Sequence, residues 1–139
     1  MSEKRTVRDV MSADVKTIER NEVLSLAQDL MRMERVRHLV VVDEDYPGEV
    51  AGVLSQRDLF LGGLARALGY GSVGAQKVLE TVPVKDVMST EVETIGPDAP
   101  LREAARRMRD RQIGCLPVVE GDRLVGILTE GDFVRLAAK

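Results

Sequence analysis

The feature that most constrains this chain is an internal repeat. Val7-Arg8-Asp9-Val10-Met11-Ser12 is matched 77 residues later by Val84-Lys85-Asp86-Val87-Met88-Ser89, and Val15-Lys16-Thr17-Ile18 by Val92-Glu93-Thr94-Ile95. Farther on, Val50-Ala51-Gly52-Val53-Leu54-Ser55-Gln56-Arg57-Asp58 has a counterpart in Val125-Gly126-Ile127-Leu128-Thr129-Glu130-Gly131-Asp132: apolar strand, glycine, hydroxyl, aspartate. Between the glycines Gly52 and Gly126 the offset is 74, so the first copy carries three extra residues. Loops accept insertions most easily, which places the extra residues in a hairpin around Asp45-Tyr46-Pro47-Gly48. A chain of 139 residues that repeats itself this way reads as two copies of one supersecondary unit. Whatever site one copy builds, the other builds again.

Each copy predicts the order strand, helix, strand, strand, helix. Thr6-x-x-Asp9 has the form of a capping box opening a short helical turn, followed by a brief alternating strand from Val15 to Ile18. Asn21 is the expected N-cap of the next helix, with Val23, Leu26, Ala27, Leu30 and Met31 on one face. In the second copy Asp98 is the expected cap, Pro100 sits in the first turn, and Leu101, Ala104, Ala105 and Met108 form the stripe. These methionines read as core. The strands Leu39 to Val42, Val50 to Leu54, Leu116 to Val119 and Leu124 to Leu128 are continuously apolar, the pattern of a sheet covered on both faces. The second hairpin turns at Glu120-Gly121-Asp122, and Pro117, lacking an N–H, belongs at the start of its strand or on an edge. The domain reading is repeat 1 over 7–61, a connector over 62–83 and repeat 2 over 84–139. Glycines dot the connector, but Leu64-Ala65-Arg66-Ala67-Leu68 and Ala75-Gln76-Lys77-Val78-Leu79-Glu80 are helix-compatible.

Composition then narrows the function. With 44% hydrophobic residues the chain can bury a core, but only 3% are aromatic and Trp is absent, which argues against base-stacking platforms. A net charge of -3 offers no global attraction to nucleic acid. Arg102, Arg106, Arg107, Arg109 and Arg111 crowd one segment, where Glu103 and Asp110 make a solvated helix face the plain reading and an anion or partner surface the other. Cys115 and His38 are single residues of their kinds, so a Cys/His zinc site is not expected. With no metal cluster and no P-loop motif, the chain is not expected to be an enzyme. Met1 to Arg5 is charged, no apolar h-region follows, and no apolar run reaches membrane-spanning length, so a cytoplasmic protein is expected.

V-x-D-V-M at the start of each copy and G-h-[LI]-[ST]-x-x-D at its end resemble a pair of CBS domains, or Bateman module, from about Val7 to Ala137. The resemblance implies an α/β fold of tandem repeats packed with pseudo-twofold symmetry around two clefts that bind adenine nucleotides or related adenosyl ligands. It implies a regulatory module, commonly a homodimer, that signals to a partner protein. AMP, ADP, ATP and S-adenosylmethionine are the candidate ligands, and no cofactor is required.

Spacing alone makes Ser55-x-x-Asp58 and Thr129-x-x-Asp132 capping boxes; the resemblance makes the aspartates acceptors for ribose hydroxyls, a task that suits an acceptor-only carboxylate. The resemblance also implies that each cleft draws its aspartate from one repeat and its base and phosphate contacts from the other. The favoured site would combine Thr17, Ile18, Val36, Arg37, His38 and Leu39 with Thr129 and Asp132. Arg37 and His38 point to opposite faces of an extended segment, and Arg37 is favoured for phosphate because its guanidinium stays charged and forks onto two oxygens. The second site would combine Thr94, Ile95, Ile113, Gly114, Cys115 and Leu116 with Ser55 and Asp58. It lacks the basic pair and suits a less charged adenosyl group, with Cys115 a small buried hydrophobe rather than a nucleophile. The alternative function is a CBS-pair dimer acting as a protein-interaction scaffold without nucleotide, its aspartates serving only as caps.

Overall fold

The structure, a computed structural model, describes residues 5–64 and 71–139. The helix expected at Leu64–Leu68 falls, beyond Leu64, outside the described residues. In chain order the elements are α1 (Val7–Val10), β1 (Thr17–Glu19), α2 (Leu24–Glu34), β2 (His38–Asp43), β3 (Tyr46–Ser55), α3 (Gln56–Asp58) with a π-helical continuation Leu59–Leu64, and α4 (Gly71–Thr81). After a 3-10 turn at Val84–Asp86 come α5 (Leu101–Arg111), β4 (Cys115–Glu120), β5 (Arg123–Thr129) and α6 (Glu130–Ala137). Both repeats thus keep the helix, hairpin, helix order that their shared pattern predicts.

The sequence repeat and the unit in space are not the same thing. One compact unit joins the chain up to Val15 with Val92–Lys139; the other is Lys16–Glu91. The opening V-x-D-V-M of each repeat therefore packs in the unit of the other repeat. Ser12 and Ile127 exchange N–H···O bonds of 2.9 Å, and Val7 is fully buried among Leu101, Ala104, Leu116, Val118 and Leu128. In the other unit Ser89 pairs with Val53, and Val84 is buried with Ile18, Leu24, Leu39, Leu54 and Leu79. The strand glycines make this crossing possible: a Cβ on Gly126 would lie 2.5 Å from Met11 Sδ, and one on Gly52 2.7 Å from the Ser89 carbonyl oxygen. Each glycine is the slot into which the methionine turn of the other repeat fits.

This crossing also corrects the expected helix starts. Asn21 and Asp98 are not the N-caps; Val23 and Pro100 hold those positions without a side-chain cap. Val23 and Pro100 are instead bridged to Pro83 and Thr6. The first helical N–H groups then donate to backbone, Leu24 to the Val82 carbonyl at 3.0 Å and Leu101 to that of Arg5 at 2.9 Å, which satisfies donors that a cap would otherwise serve. Thr6-x-x-Asp9 does close as a capping box, the Thr6 N–H donating to Asp9 Oδ2 at 2.9 Å. On α2 the buried stripe is Leu24, Ala27 and Met31, with Leu26 turned outward; on α5 it is Leu101, Ala104 and Met108.

In the first repeat β1, β2 and β3 form a sheet in that order, β1–β2 parallel and β2–β3 antiparallel. In the second, β4 and β5 form a two-stranded ladder, and the strand expected at Val92–Ile95 shrinks to a parallel bridge between Ile95 and Val118. Two prolines account for it. In the first repeat, the Val40 N–H donates to Lys16 O and the Arg20 N–H to Val42 O; the equivalent residues are Pro117 and Pro97, which have no N–H to give. Pro117 is third in β4 rather than first. Its carbonyl accepts from the Ile95 N–H at 3.1 Å, so its nitrogen lies on the open side of the ladder.

The three extra residues of the first repeat are not in the hairpin loop. Asp43 pairs with Tyr46 and Val42 with Val50, which makes residues 47–49 an irregularity within β3 and leaves a two-residue turn. Each repeat also has one bulged residue, Ala51 or Val125, beside its glycine. In the second hairpin Gly121 takes the left-handed turn position, φ 63°.

Candidate functional site

β5 ends at Thr129, whose extended backbone (φ -124°, ψ 166°) turns the chain into α6. The Thr129 N–H donates to Asp132 Oδ2 at 2.8 Å, and its hydroxyl lies 3.3 Å from the same oxygen. Arg135, one turn farther along, donates from Nη2 to the other oxygen, Oδ1. Asp132 is only 7% exposed and is the one buried charged residue among the described residues. A buried carboxylate needs its lone pairs engaged, and here both oxygens are. Arg135 itself stays in water, its side chain 70% exposed.

The first repeat builds the same turn with one difference. The Ser55 N–H donates to Asp58 Oδ2 at 3.0 Å, and the Asp58 N–H returns a bond to Ser55 Oγ at 2.9 Å, a reciprocal capping box. Three residues beyond Asp58 stands Leu61, not arginine. Among the described residues no side chain reaches Asp58 from that position, and the carboxylate is half-buried.

The remaining predicted residues divide by unit. Thr17, Ile18, Val36, Arg37, His38, Leu39, Ser55 and Asp58 lie in one; Thr94, Ile95, Ile113, Gly114, Cys115, Leu116, Thr129 and Asp132 lie in the other. Within the first, His38 stands opposite Ser55 in the β2–β3 register, and the Arg37 carbonyl accepts from the Gln56 N–H at 2.8 Å. The basic pair therefore adjoins the start of α3. Arg37 is exposed and His38 half-buried. Gly114 holds the matching place in the other unit, its carbonyl accepting from the Glu130 N–H at 3.2 Å. Ile18, Leu39, Ile95 and Leu116 are buried in the two cores, so their side chains pack and only their backbone is left for a ligand. Cys115 is buried as well.

Arg135 is the residue that sequence reasoning missed. Its signal was present: Asp132-x-x-Arg135 is an i, i+3 pair on a helix, where oppositely charged side chains meet. The arginines of α5, by contrast, are largely matched close at hand. Arg107 pairs with Glu103 at 3.0 Å, Arg111 with Glu93 at 3.2 Å and Arg109 with Asp110 at 2.8 Å. The Arg109 hydrogen bond holds the Asp110 carboxyl below its ordinary pKa. Among the described residues no group of three or more His, Cys, Asp or Glu side chains could hold a metal ion. No helix of the described residues is long and apolar enough to cross a membrane.

Comparison with known proteins decides the family. The CBS domain model matches residues 7–62 and again 84–139. The chain belongs to the CBS domain family. This CBS pair is 34% identical over 127 residues to the CBS domain-containing protein YhcV of Bacillus subtilis, covering 91% of the chain and 81% of YhcV. Among solved structures it is similar to AcuB of Vibrio cholerae, named as an acetoin utilization protein, at 38% identity and a TM-score of 0.78, over 96% of the chain and 90% of AcuB. It is also similar to the CBS domain pair of protein MJ0100 in complex with 5′-methylthioadenosine and S-adenosyl-L-methionine, at 28% identity and a TM-score of 0.77 over 96% of both chains. In two longer relatives, the chain spans 32% and 24% of their length. The fold is thus a mixed α/β pair of CBS repeats.

Proposed function

We propose that this CBS pair is a non-catalytic regulatory module that binds an adenosyl compound and signals to a partner protein through a change of conformation. The observation that carries the reading is the complex of the MJ0100 pair with two adenosyl compounds, over nearly the whole length of this chain. In this reading Asp132 and Asp58 accept the ribose hydroxyls. Thr17, Ile18, Val36, Arg37, His38 and Leu39 in one unit, and Thr94, Ile95, Ile113, Gly114, Cys115 and Leu116 in the other, are the further candidates for base and phosphate contacts. Signalling requires that the ligand bind one arrangement of the module better than another. The protein works in the cytoplasm as a homodimer, a state for which exposed Phe60, Leu61 and Val73 supply apolar surface.

The test is thermal unfolding with AMP, ADP, ATP, S-adenosylmethionine and 5′-methylthioadenosine. A ligand at a hundred times its dissociation constant stabilises the native state by about 2.7 kcal/mol, a rise of several degrees. A second reading, a scaffold that binds partners and no nucleotide, is favoured by the capping boxes, which already give both aspartates a structural task. It predicts no shift with any of the five compounds.

A further inference from the structure

We infer that Arg135 is a charge-reading latch on the second repeat's aspartate, which makes that motif selective for an adenosyl ligand carrying a phosphate. The inference rests on the adenosyl-binding reading and adds to it a residue that discriminates between ligands. Asp132 Oδ2 already receives two donors from Thr129, and Oδ1 receives the Arg135 guanidinium. A ribose diol that grips a carboxylate donates one hydroxyl to each oxygen: at Oδ2 it takes the place of the long 3.3 Å Thr129 hydroxyl contact, and at Oδ1 it competes with the Arg135 guanidinium, whose planar fork crowds the remaining lone pair. The guanidinium has room for both positions. It lies across Gly131, where a Cβ would come 3.3 Å from Arg135 Nη1, and most of the side chain is in solvent, so its release needs no repacking of the core.

The charge of the ligand then decides the balance. A neutral nucleoside exchanges a charge-assisted bond for hydroxyl donors and sends the guanidinium back to water without a partner. A phosphorylated nucleoside brings its own anion, about one sugar's width from the diol, within the swing of a long flexible side chain that forks onto phosphate oxygens. The first repeat has neither half of the device: Leu61 replaces Arg135 and Arg57 replaces Gly131. Among the described residues its aspartate has no guanidinium to displace, so a diol of either kind meets it on equal terms.

Calorimetric titration with AMP and with adenosine tests this, in an Asp58→Asn background so that the second repeat's motif is read. The unlatched variant is Arg135→Leu, which copies the first repeat. With Arg135 in place, AMP binds at least tenfold more tightly than adenosine. Arg135→Leu weakens AMP about tenfold and leaves adenosine unchanged or tighter, so the preference collapses, while Arg135→Lys keeps part of it. Loss or retention of both affinities together in Arg135→Leu overturns the latch and leaves the adenosyl reading standing. If neither AMP, adenosine, S-adenosylmethionine nor 5′-methylthioadenosine binds the unsubstituted protein at millimolar concentration, the adenosyl reading itself falls and the latch with it.

Discussion

Asp132 has a capping task in the structure and a ribose-binding task in the proposed function, and one substitution can separate the two. As a cap it needs a single acceptor for the Thr129 N–H; as a ribose acceptor it needs two oxygens and a negative charge. Asp132→Asn keeps the first and removes the second. It loses the Arg135 pair as well, but that partner is exposed, so stability falls by no more than about 1 kcal/mol. Affinity for the adenosyl ligand falls tenfold or more, the loss of a charge-assisted hydrogen bond of about 1.5–3 kcal/mol. Denaturant unfolding and calorimetry on the same variant check both halves, and equal ligand affinity would return Asp132 to capping alone. Backbone strain is stored at the ends of two helices. Arg35 and Gln112, at equivalent places in the two repeats, close α2 and α5 in the left-handed conformation, φ 56° and 54°, where a Cβ is unfavourable. Gln112 is exposed, so Gln112→Gly should raise the urea midpoint by the equivalent of about 0.5–1 kcal/mol at unchanged slope. An unchanged midpoint would mean that the strain is absorbed elsewhere.

At the scale of elements, the legible parts were those that periodicity and local chemistry decide. The α5 stripe and the two hairpins follow from spacing; the hydroxyl-x-x-aspartate boxes follow from helix-end donors that need acceptors. The illegible parts depend on which backbone lies beside which. Asn21 and Asp98 look like caps, yet the donors they would serve are met by Val82 and Arg5 carbonyls that only the folded chain brings close. Leu26 sits in the helical pattern and faces outward. The strand lost at Ile95 was readable in principle from Pro97 and Pro117, but only after the parallel register was known. The strand glycines are the sharpest case, since their partners come from the opposite repeat. Gly126→Ala forces a Cβ against Met11 Sδ and to 3.0 Å from the Ser12 carbonyl oxygen, an overpacking expected to cost about 1–3 kcal/mol. Met11→Ala should recover part of that loss in the double variant, a coupling of at least about 0.5 kcal/mol by double-mutant cycle. Simple additivity would show that the backbone oxygen alone sets the limit.

For the whole molecule, the exchanged opening segments mean that sequence halves and packed halves differ. Val7 belongs by sequence to the first repeat and by burial to the core of the second; Val84 is placed the other way round. Removing two methyl groups from either fully buried valine costs about 1.5–3 kcal/mol, enough to populate local opening of the unit that loses them. Amide hydrogen exchange reads where the opening occurs. Val7→Ala should accelerate exchange at Leu116 and Leu128, in β4 and β5, while Leu39 and Leu54 keep their protection; Val84→Ala should do the reverse. The opposite assignment, each valine loosening the repeat it belongs to by sequence, would refute the crossed packing. Equal acceleration at all four amides would show that the two units open as one body. The crossed pattern would instead give this CBS pair two separately adjustable halves, each completed by the opening segment of the other repeat.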